Sequence, residues 1–356
     1  MAVMKKKTDK NITSVTHAKR LLRFLSKNKK KISSLLILTH DYPDPDALAS
    51  AYALNFLVEK CYGISSRIVY SGVIGRTENR WMMNILKIPA HRLRPSDFKR
   101  YKNVALVDSQ PEFENNAFPR YEHATIVIDQ HASKGEKPNA DFVAIDTECG
   151  ATCVILAQAL LLKRVEIPVR IATALAYGIL SDTLNLYRAS RHDVVDTYLG
   201  VLHSCDMRAL ARIQNPVRPR TFFMTLRKAL QDAMMKRRLI VSHLGFVKNP
   251  DLVSQVADFL LTNKGINWSV CTGRYNGKIY VSLRAASPNA EAGEVLRDIF
   301  ESKDEAGGRG TVAGGSFHIG LGAIEELWKE EEQALIQRLT KRLRIPAKGQ
   351  FYFPFR

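Results

Sequence analysis

The chain has five cysteines in 356 residues, at positions 61, 149, 153, 205 and 271, and this odd, scattered set excludes a disulfide framework. Cys149 and Cys153 fall one helical turn apart and could share a metal, yet no second Cys or His pair accompanies them, so they are read as packing thiols. Long apolar runs are missing as well. The longest, Ala151 to Leu162, is interrupted by Gln158 and is short of the roughly 20 residues that a bilayer span requires. The opening MAVMKKKTDK passes from lysines into polar residues instead of an apolar stretch, so it lacks the form of a secretory signal, and a cytoplasmic protein is expected. No tandem repeat is visible. Acidic residues are the minority, 35 against 53 Lys and Arg, for a formal net charge of +18. Met1 to Lys31 alone holds 11 Lys and Arg against the single acid Asp9, so this arm carries +10 and the remaining chain only +8. The body is therefore mildly basic, which attracts polyanions without identifying a cleft. The arm reads equally as solvated lysines and as a nucleic-acid contact.

What is present is enough apolar residue, 46%, to fill two ordinary cores. Short apolar runs at Leu35 to Leu38, Arg67 to Tyr70, Val104 to Val107 and Thr125 to Ile128 read as buried parallel strands. Helical patterns lie between and after them, at Ala47 to Tyr62, Arg80 to Leu86, Ala151 to Lys163, Val169 to Leu180 and His192 to His203. Strand alternating with helix predicts an α/β fold with a doubly wound, mainly parallel sheet. The polar, proline-bearing stretch Asn215 to Arg220 predicts a linker. The expected layout is a basic arm or helix over 1–31, a metal-binding domain over 32–213, a linker and connecting helix over 214–238, and a smaller α/β domain over 239–356. In that last domain Asn276 and Gly277 sit between two apolar runs and predict a β-hairpin with a type I′ turn. A helix from Ala290 to Phe300, a glycine-rich loop and an amphipathic helix from Ile324 to Leu343 complete it.

Chemistry gathers where the predicted strands end. The run LLIL leads into THDYPDPDALAS with His40, Asp44 and Asp46; VALV leads into Asp108; TIVI leads into Asp129, Gln130 and His131. Asp182 lies in GILSDTLNL after a helical stretch. In open α/β sheets ligands bind at the carboxyl ends of the strands. So many converging carboxylates repel one another unless divalent cations neutralise them. Mixed oxygen and imidazole donors suit Mn²⁺ or Mg²⁺ better than zinc. Two such ions about 3.5 to 4 Å apart would activate water and hold a phosphate. Taken singly, each acid has a plainer use: Asp44 and Asp46 as helix caps, Asp108 and Asp129 as strand ends. The conjunction carries the functional reading.

With these motifs in hand, the chain resembles the DHH phosphoesterases, a family of oligoribonucleases, adenosine bisphosphate phosphatases, cyclic-dinucleotide phosphodiesterases and single-strand exonucleases. Its motifs look like THDYPDPDALAS, LVDSQP, IDQHAS and GILSDTLNL in that order. The resemblance implies one metal held by His40, Asp44 and Asp108 and a second by Asp46, Asp108 and Asp182, with Asp108 bridging. Asp129, His131 and Asp108 are then the catalytic group, His131 serving as phosphate ligand or general acid. One position departs from the pattern: Gln130 stands where the family has the first histidine of Asp-His-His, a weak or absent ligand that loosens the second metal site.

The C-terminal half resembles the DHH-associated substrate-binding domain, whose glycine loop reads GGRGTVAGG here. By that resemblance Gly307, Gly308 and Gly310 would let backbone amides approach a phosphate. Arg309, in place of a histidine, would grip phosphate without donating a proton. An offset alignment would use His318. Arg284, in VSLRAAS, matches the basic residue that faces substrate. The aromatic tail Phe351, Tyr352, Phe353 and Phe355 is read as docking onto the protein's own surface rather than stacking bases. Together these imply a metal-dependent phosphoesterase with two Mn²⁺ or Mg²⁺ ions, the second site weakened, acting between its domains on short single-stranded RNA or DNA or on small nucleotides. No membrane partner is implied, and the resemblance leaves room for a homodimer. The alternative is a nucleotide-binding module with weak or no catalysis, because Gln130 and Arg309 replace family histidines.

Overall fold

The computed structural model describes residues 13–356 apart from 73, 75, 121, 134, 136, 288, 303 and 304 and the side chain of Arg309. The first twelve residues of the basic arm and the expected phosphate grip of the Arg309 side chain thus lie outside the described residues. The chain divides into two compact units, one ending at Pro216 and one spanning Val217–Arg356. Among the described residues, no helix is long and apolar enough to cross a membrane.

In the first unit, strands β1 (Ser34–Leu38), β2 (Ser65–Tyr70), β3 (Ala90–Arg92), β4 (Asn103–Val107), β5 (Ala124–Asp129) and β6 (Ala140–Ile145) form one sheet. Their order is β3-β2-β1-β4-β5-β6, and every pairing is parallel. Leu35 and Ile37 enter one core cluster while Leu36 and Leu38 enter another, because successive side chains point to opposite faces. Both faces are covered, which is why these strands are uninterrupted apolar runs in the sequence.

Among the described residues, eight helices accompany this sheet: α1 (Ser14–Asn28), α2 (Pro45–Tyr62), α3 (Thr77–Leu86), α4 (Pro95–Arg100), α5 (Cys153–Lys163), α6 (Val169–Asp182), α7 (His192–Leu202) and α8 (Met207–Gln214). Helix α1 packs on α5 and buries Ala18, Leu21 and Leu25 completely, so the second half of the basic segment is a core element with its lysines and arginines turned outward. Helix α2 starts where Asp44 caps the Ala47 amide and Pro45 fills the first turn; it stops at Gly63, in the left-handed region. Helices α2 and α6 pack closely, and Gly178 is the reason they can: a Cβ there would lie 2.9 Å from the Ala49 methyl and 3.0 Å from Cys153 Sγ. That approach carries Asp182, the last residue of α6, toward Asp46 in the first turn of α2.

The second unit is a mixed sheet of β7 (Met234–Lys236), β8 (Leu239–Phe246), β9 (Trp268–Tyr275), β10 (Lys278–Ala285), β11 (Ala306–Arg309) and β12 (Val312–His318). Its order is β11-β12-β10-β9-β8-β7, with β8 and β9 parallel and the other pairs antiparallel. One face packs on α11 (Ala292–Ile299) and α12 (Glu325–Arg342), the other on α9 (Arg220–Asp232) and α10 (Asp251–Leu261). Asn276 and Gly277 have φ of 48° and 73° between β9 and β10, the two left-handed residues that a type I′ turn demands. The expected glycine-rich loop is instead a second hairpin. Gly307 pairs with Gly314 and Gly308 with Ala313, so Gly307 and Gly308 belong to the edge strand β11 and Gly314 to its neighbour β12, and only Gly310 and Thr311 turn. The aromatic tail docks on the same unit, where Tyr352 exchanges backbone hydrogen bonds with Met235 at 2.7 and 3.0 Å.

Candidate metal centre

The order of the parallel sheet reverses between β1 and β4, and the crevice at such a switch point is where open α/β folds bind ligands. The strand ends deliver the expected residues there. His40 follows β1, Asp108 follows β4, and Asp129 closes β5 with Gln130 and His131 next to it. Asp108 sits at φ 56°, a left-handed conformation disfavoured for a side chain with a Cβ, in the turn that leaves β4.

His40, Asp44 and Asp108 form the clearest ligand group: one nitrogen and two oxygens all within 4.8 Å of one another. His40 Nδ1 donates to the Asp41 carbonyl at 2.7 Å, which turns Nε2 toward Asp108 Oδ2 at 3.5 Å and Asp44 Oδ1 at 3.7 Å. Burial alone would lower the His40 pKa, but its contacts with Asp108 and Asp44 outweigh it and hold the imidazole well above its ordinary value. Asp108 is the counterpart: burial pushes its carboxyl up, while His40, His131 and the Thr152 hydroxyl together hold it down to about 2. The two carboxylates that would hold a divalent cation thus also favour positive charge on His40. Among the described residues, the buried Asp41 Oδ1 and Gln110 Oε1 have no hydrogen-bond partner. The donor set, an imidazole and two carboxylates, fits Mn²⁺.

His131 forms a second cluster with Asp129 and Asp108. Its Nδ1 donates to Asp129 Oδ1 at 2.8 Å and lies 3.7 Å from Asp108 Oδ1. Asp129 is fully buried and already engaged: the Gln130 backbone N–H donates to Oδ1 at 2.8 Å and Gln110 Nε2 to Oδ2 at 2.6 Å. Its carboxylate therefore orients the imidazole rather than offering open oxygens.

Asp46, Gln130 and Asp182 form a third network. Asp46 accepts from the Thr152 amide at 2.6 Å, the Cys153 amide at 2.8 Å, Gln130 Nε2 at 3.1 Å and Ser50 Oγ at 3.5 Å. Gln130 Nε2 also donates to Asp182 Oδ2 at 2.8 Å. Burial first, then repulsion from neighbouring carboxylates, pushes both Asp46 and Asp182 well above the usual carboxylate range.

Residues 34–179 match the DHH family N-terminal domain and residues 236–343 match the DHHA1 domain. The chain belongs to the DHH family. It is 32% identical over 305 residues to an uncharacterised protein of Methanocaldococcus jannaschii, covering 85% of this chain and 62% of that one. It is 26% identical over 163 residues to a probable manganese-dependent inorganic pyrophosphatase of Streptococcus pyogenes, covering 45% of this chain and 52% of that one. The chain thus spans about half to three-fifths of the length of these relatives. An exopolyphosphatase-related protein from Bacteroides fragilis shares the fold at TM-score 0.71 and 16% identity, covering 94% of this chain and 100% of that one.

Two residues of this DHH protein's site escaped the sequence reading. Thr152, just before α5, donates its hydroxyl to Asp108 Oδ1 at 2.7 Å, and Gln110 steadies Asp129 while also donating to the His131 carbonyl at 2.8 Å. Gln110 stands two residues after Asp108 within LVDSQP, so the motif held the signal; Thr152, a hydroxyl residue opening an apolar helix, reads locally only as a cap. In the DHHA1 domain, Arg284 is 3% exposed, with its guanidinium bonded to Asp258 and to the carbonyls of Leu283 and Ala313. Gly307 and Gly308 are exposed on β11.

Proposed function

We propose that this DHH protein is a divalent-metal-dependent phosphoesterase that hydrolyses short oligonucleotides or small nucleotides. The observation that carries the reading is the convergence of His40, Asp44 and Asp108 at the switch point of the sheet, with ligand atoms within 4.8 Å of one another. These three residues would hold a divalent cation, which would supply Lewis-acid polarisation of a phosphoryl oxygen and acidify a water. The chain's own groups do the rest. Asp44 and Asp108 fix the negative side of the site, and the Asp41 carbonyl keeps His40 Nε2 turned inward. With Nδ1 held by Asp129, Nε2 of His131 is the ring nitrogen that would deliver a proton to a departing alkoxide from the imidazolium form, the ring then remaining neutral with its proton on Nδ1. Gln110 holds Asp129, so the donor is aligned through two successive hydrogen bonds. Substrate phosphate contact is assigned to the exposed backbone of Gly307 and Gly308, with Arg309 and Gly310 at the same hairpin; Arg284, bonded to Asp258, supports the sheet behind it.

The pyrophosphatase relative supports a phosphate-bearing substrate, and the mild positive charge of the body supports an anionic one. A second reading, a nucleotide-binding module without turnover, is favoured by the engagement of Asp46 and Asp182 with Gln130. The test is a hydrolysis panel over a dinucleotide, short RNA and DNA oligomers, adenosine bisphosphate, a cyclic dinucleotide and inorganic pyrophosphate, each with Mn²⁺ or Mg²⁺. Turnover of a nucleotide substrate that Asp108→Asn abolishes is expected. Binding without turnover in every metal would give the second reading, and equal turnover by Asp108→Asn would remove the first.

A further inference from the structure

We infer that this chain holds a single divalent cation, at His40, Asp44 and Asp108, because the Gln130 amide closes the second cation position between Asp46 and Asp182. The inference rests on the reading of the triad as a metal site and concerns how many ions the centre takes. Three observations carry it.

First, Asp46 is saturated. A carboxylate offers about four lone-pair positions, and Asp46 meets four donors: the Thr152 and Cys153 amides, the Ser50 hydroxyl and the Gln130 amide. The residue is fully buried, so no oxygen reaches solvent. Two of these donors are backbone groups at the start of α5, which makes Asp46 the anchor of that helix, and withdrawing it toward a cation would strip both amides at once.

Second, Gln130 Nε2 lies 3.1 Å from Asp46 Oδ2 and 2.8 Å from Asp182 Oδ2, one N–H for each carboxylate. The orientation of the amide is dictated by its partners, since its oxygen in that place would face two acceptors. A cation between the two aspartates would confront N–H groups pointing at it. The neutral amide does by hydrogen bonding part of what the ion would do by charge: it bridges two buried acids that repel one another.

Third, the Asp108 oxygen that does not face His40 already accepts a hydrogen bond. Thr152 Oγ1 donates to Asp108 Oδ1 at 2.7 Å, while Oδ2 faces His40. That oxygen keeps one further lone pair, so the hydroxyl narrows what Asp108 can offer a second ion and leaves Gln130 as the group that closes the position. Among the described residues, neither Asp46 nor Asp182 belongs to any three-residue group with metal-ligand spacing.

The consequence is a division of labour within one cluster. The triad binds the ion, and the Asp46, Gln130 and Asp182 network is a metal-free brace tying α2, α5 and α6 behind it. The test is manganese stoichiometry and electron paramagnetic resonance on the full-length protein, wild type and Gln130→His, after equilibrium dialysis. The expected results are one Mn²⁺ per chain with the six-line spectrum of an isolated ion in wild type, and two ions with a spin-coupled spectrum in Gln130→His. Two coupled ions in wild type would overturn the inference while leaving the triad and the phosphoesterase reading intact. No bound ion in wild type would instead sink the metal reading itself. One ion in a folded Gln130→His variant would show that Gln130 is not what closes the position. Should that variant fail to fold, the wild-type count and spectrum decide the matter alone.

Discussion

Replacing Thr152 with valine removes one hydroxyl from the centre and little volume. In the wild type that hydroxyl donates to Asp108 Oδ1 at 2.7 Å, with both residues buried. Hydrogen bonds to charged groups contribute about 1.5 to 3 kcal/mol, and the loss is at the upper end when a buried anion is left short of a donor. Asp108, held down to about 2, is such an anion throughout the neutral range. Thr152→Val in EDTA-treated protein should therefore lose about 1.5 to 3 kcal/mol. For a unit of some 200 residues that corresponds to a melting temperature roughly 3 to 12 °C lower. Thr152→Ser keeps the hydroxyl and drops one methyl, and should lose only about 1 kcal/mol. The assay is urea unfolding followed by far-ultraviolet circular dichroism, with separate fits for the two compact units, which need not unfold together. A Thr152→Val protein as stable as Thr152→Ser would refute the claim that Asp108 is a buried anion dependent on this bond.

Two further outcomes are expected. Asp129→Asn, which weakens the hold on His131 Nδ1, should lower kcat by about 10- to 100-fold while the number of bound ions stays the same; an unchanged kcat would deny Asp129 its orienting role. Burial pushes the Cys149, Cys153 and Cys271 thiols up and leaves them no exposure, whereas Cys61 and Cys205 are partly exposed. Iodoacetamide on the native protein near pH 8 should thus modify Cys61 and Cys205 first, as read by peptide mass spectrometry, and labelling of Cys153 as fast as Cys61 would contradict the packing of α5 against α6.

The strands bearing the site were legible because a parallel strand covered on both faces has no polar alternation to obscure it: Leu35 to Leu38 and Ile126 to Ile128 are bare apolar runs, with His40 two residues after the first and Asp129 directly after the second. Edge strands are less visible. β3 has three residues and a largely exposed pattern, and β6 interrupts its apolar residues with the exposed Asp141. The glycine hairpin was hidden for a different reason. Gly307, Gly308, Gly314 and Gly315 signal a loop by their weak strand preference, and only cross-strand pairing makes them β11 and β12. At the centre, residue types were legible but not their partners. Gln130 could be recognised as a departure from the family histidine, yet its bonds to Asp46 and Asp182 span 84 and 52 residues of sequence. The Thr152 bond to Asp108 spans 44. No local pattern encodes such contacts, which arise only when α5 and α6 pack beside α2.

The most direct test of the metal-centred account is an anomalous difference map, recorded at the manganese absorption edge, from crystals of the protein soaked in Mn²⁺. The account predicts a strong peak at coordination distance, about 2 Å, from His40 Nε2 and from oxygens of Asp44 and Asp108. A fully soaked crystal with no peak at those three side chains would contradict it.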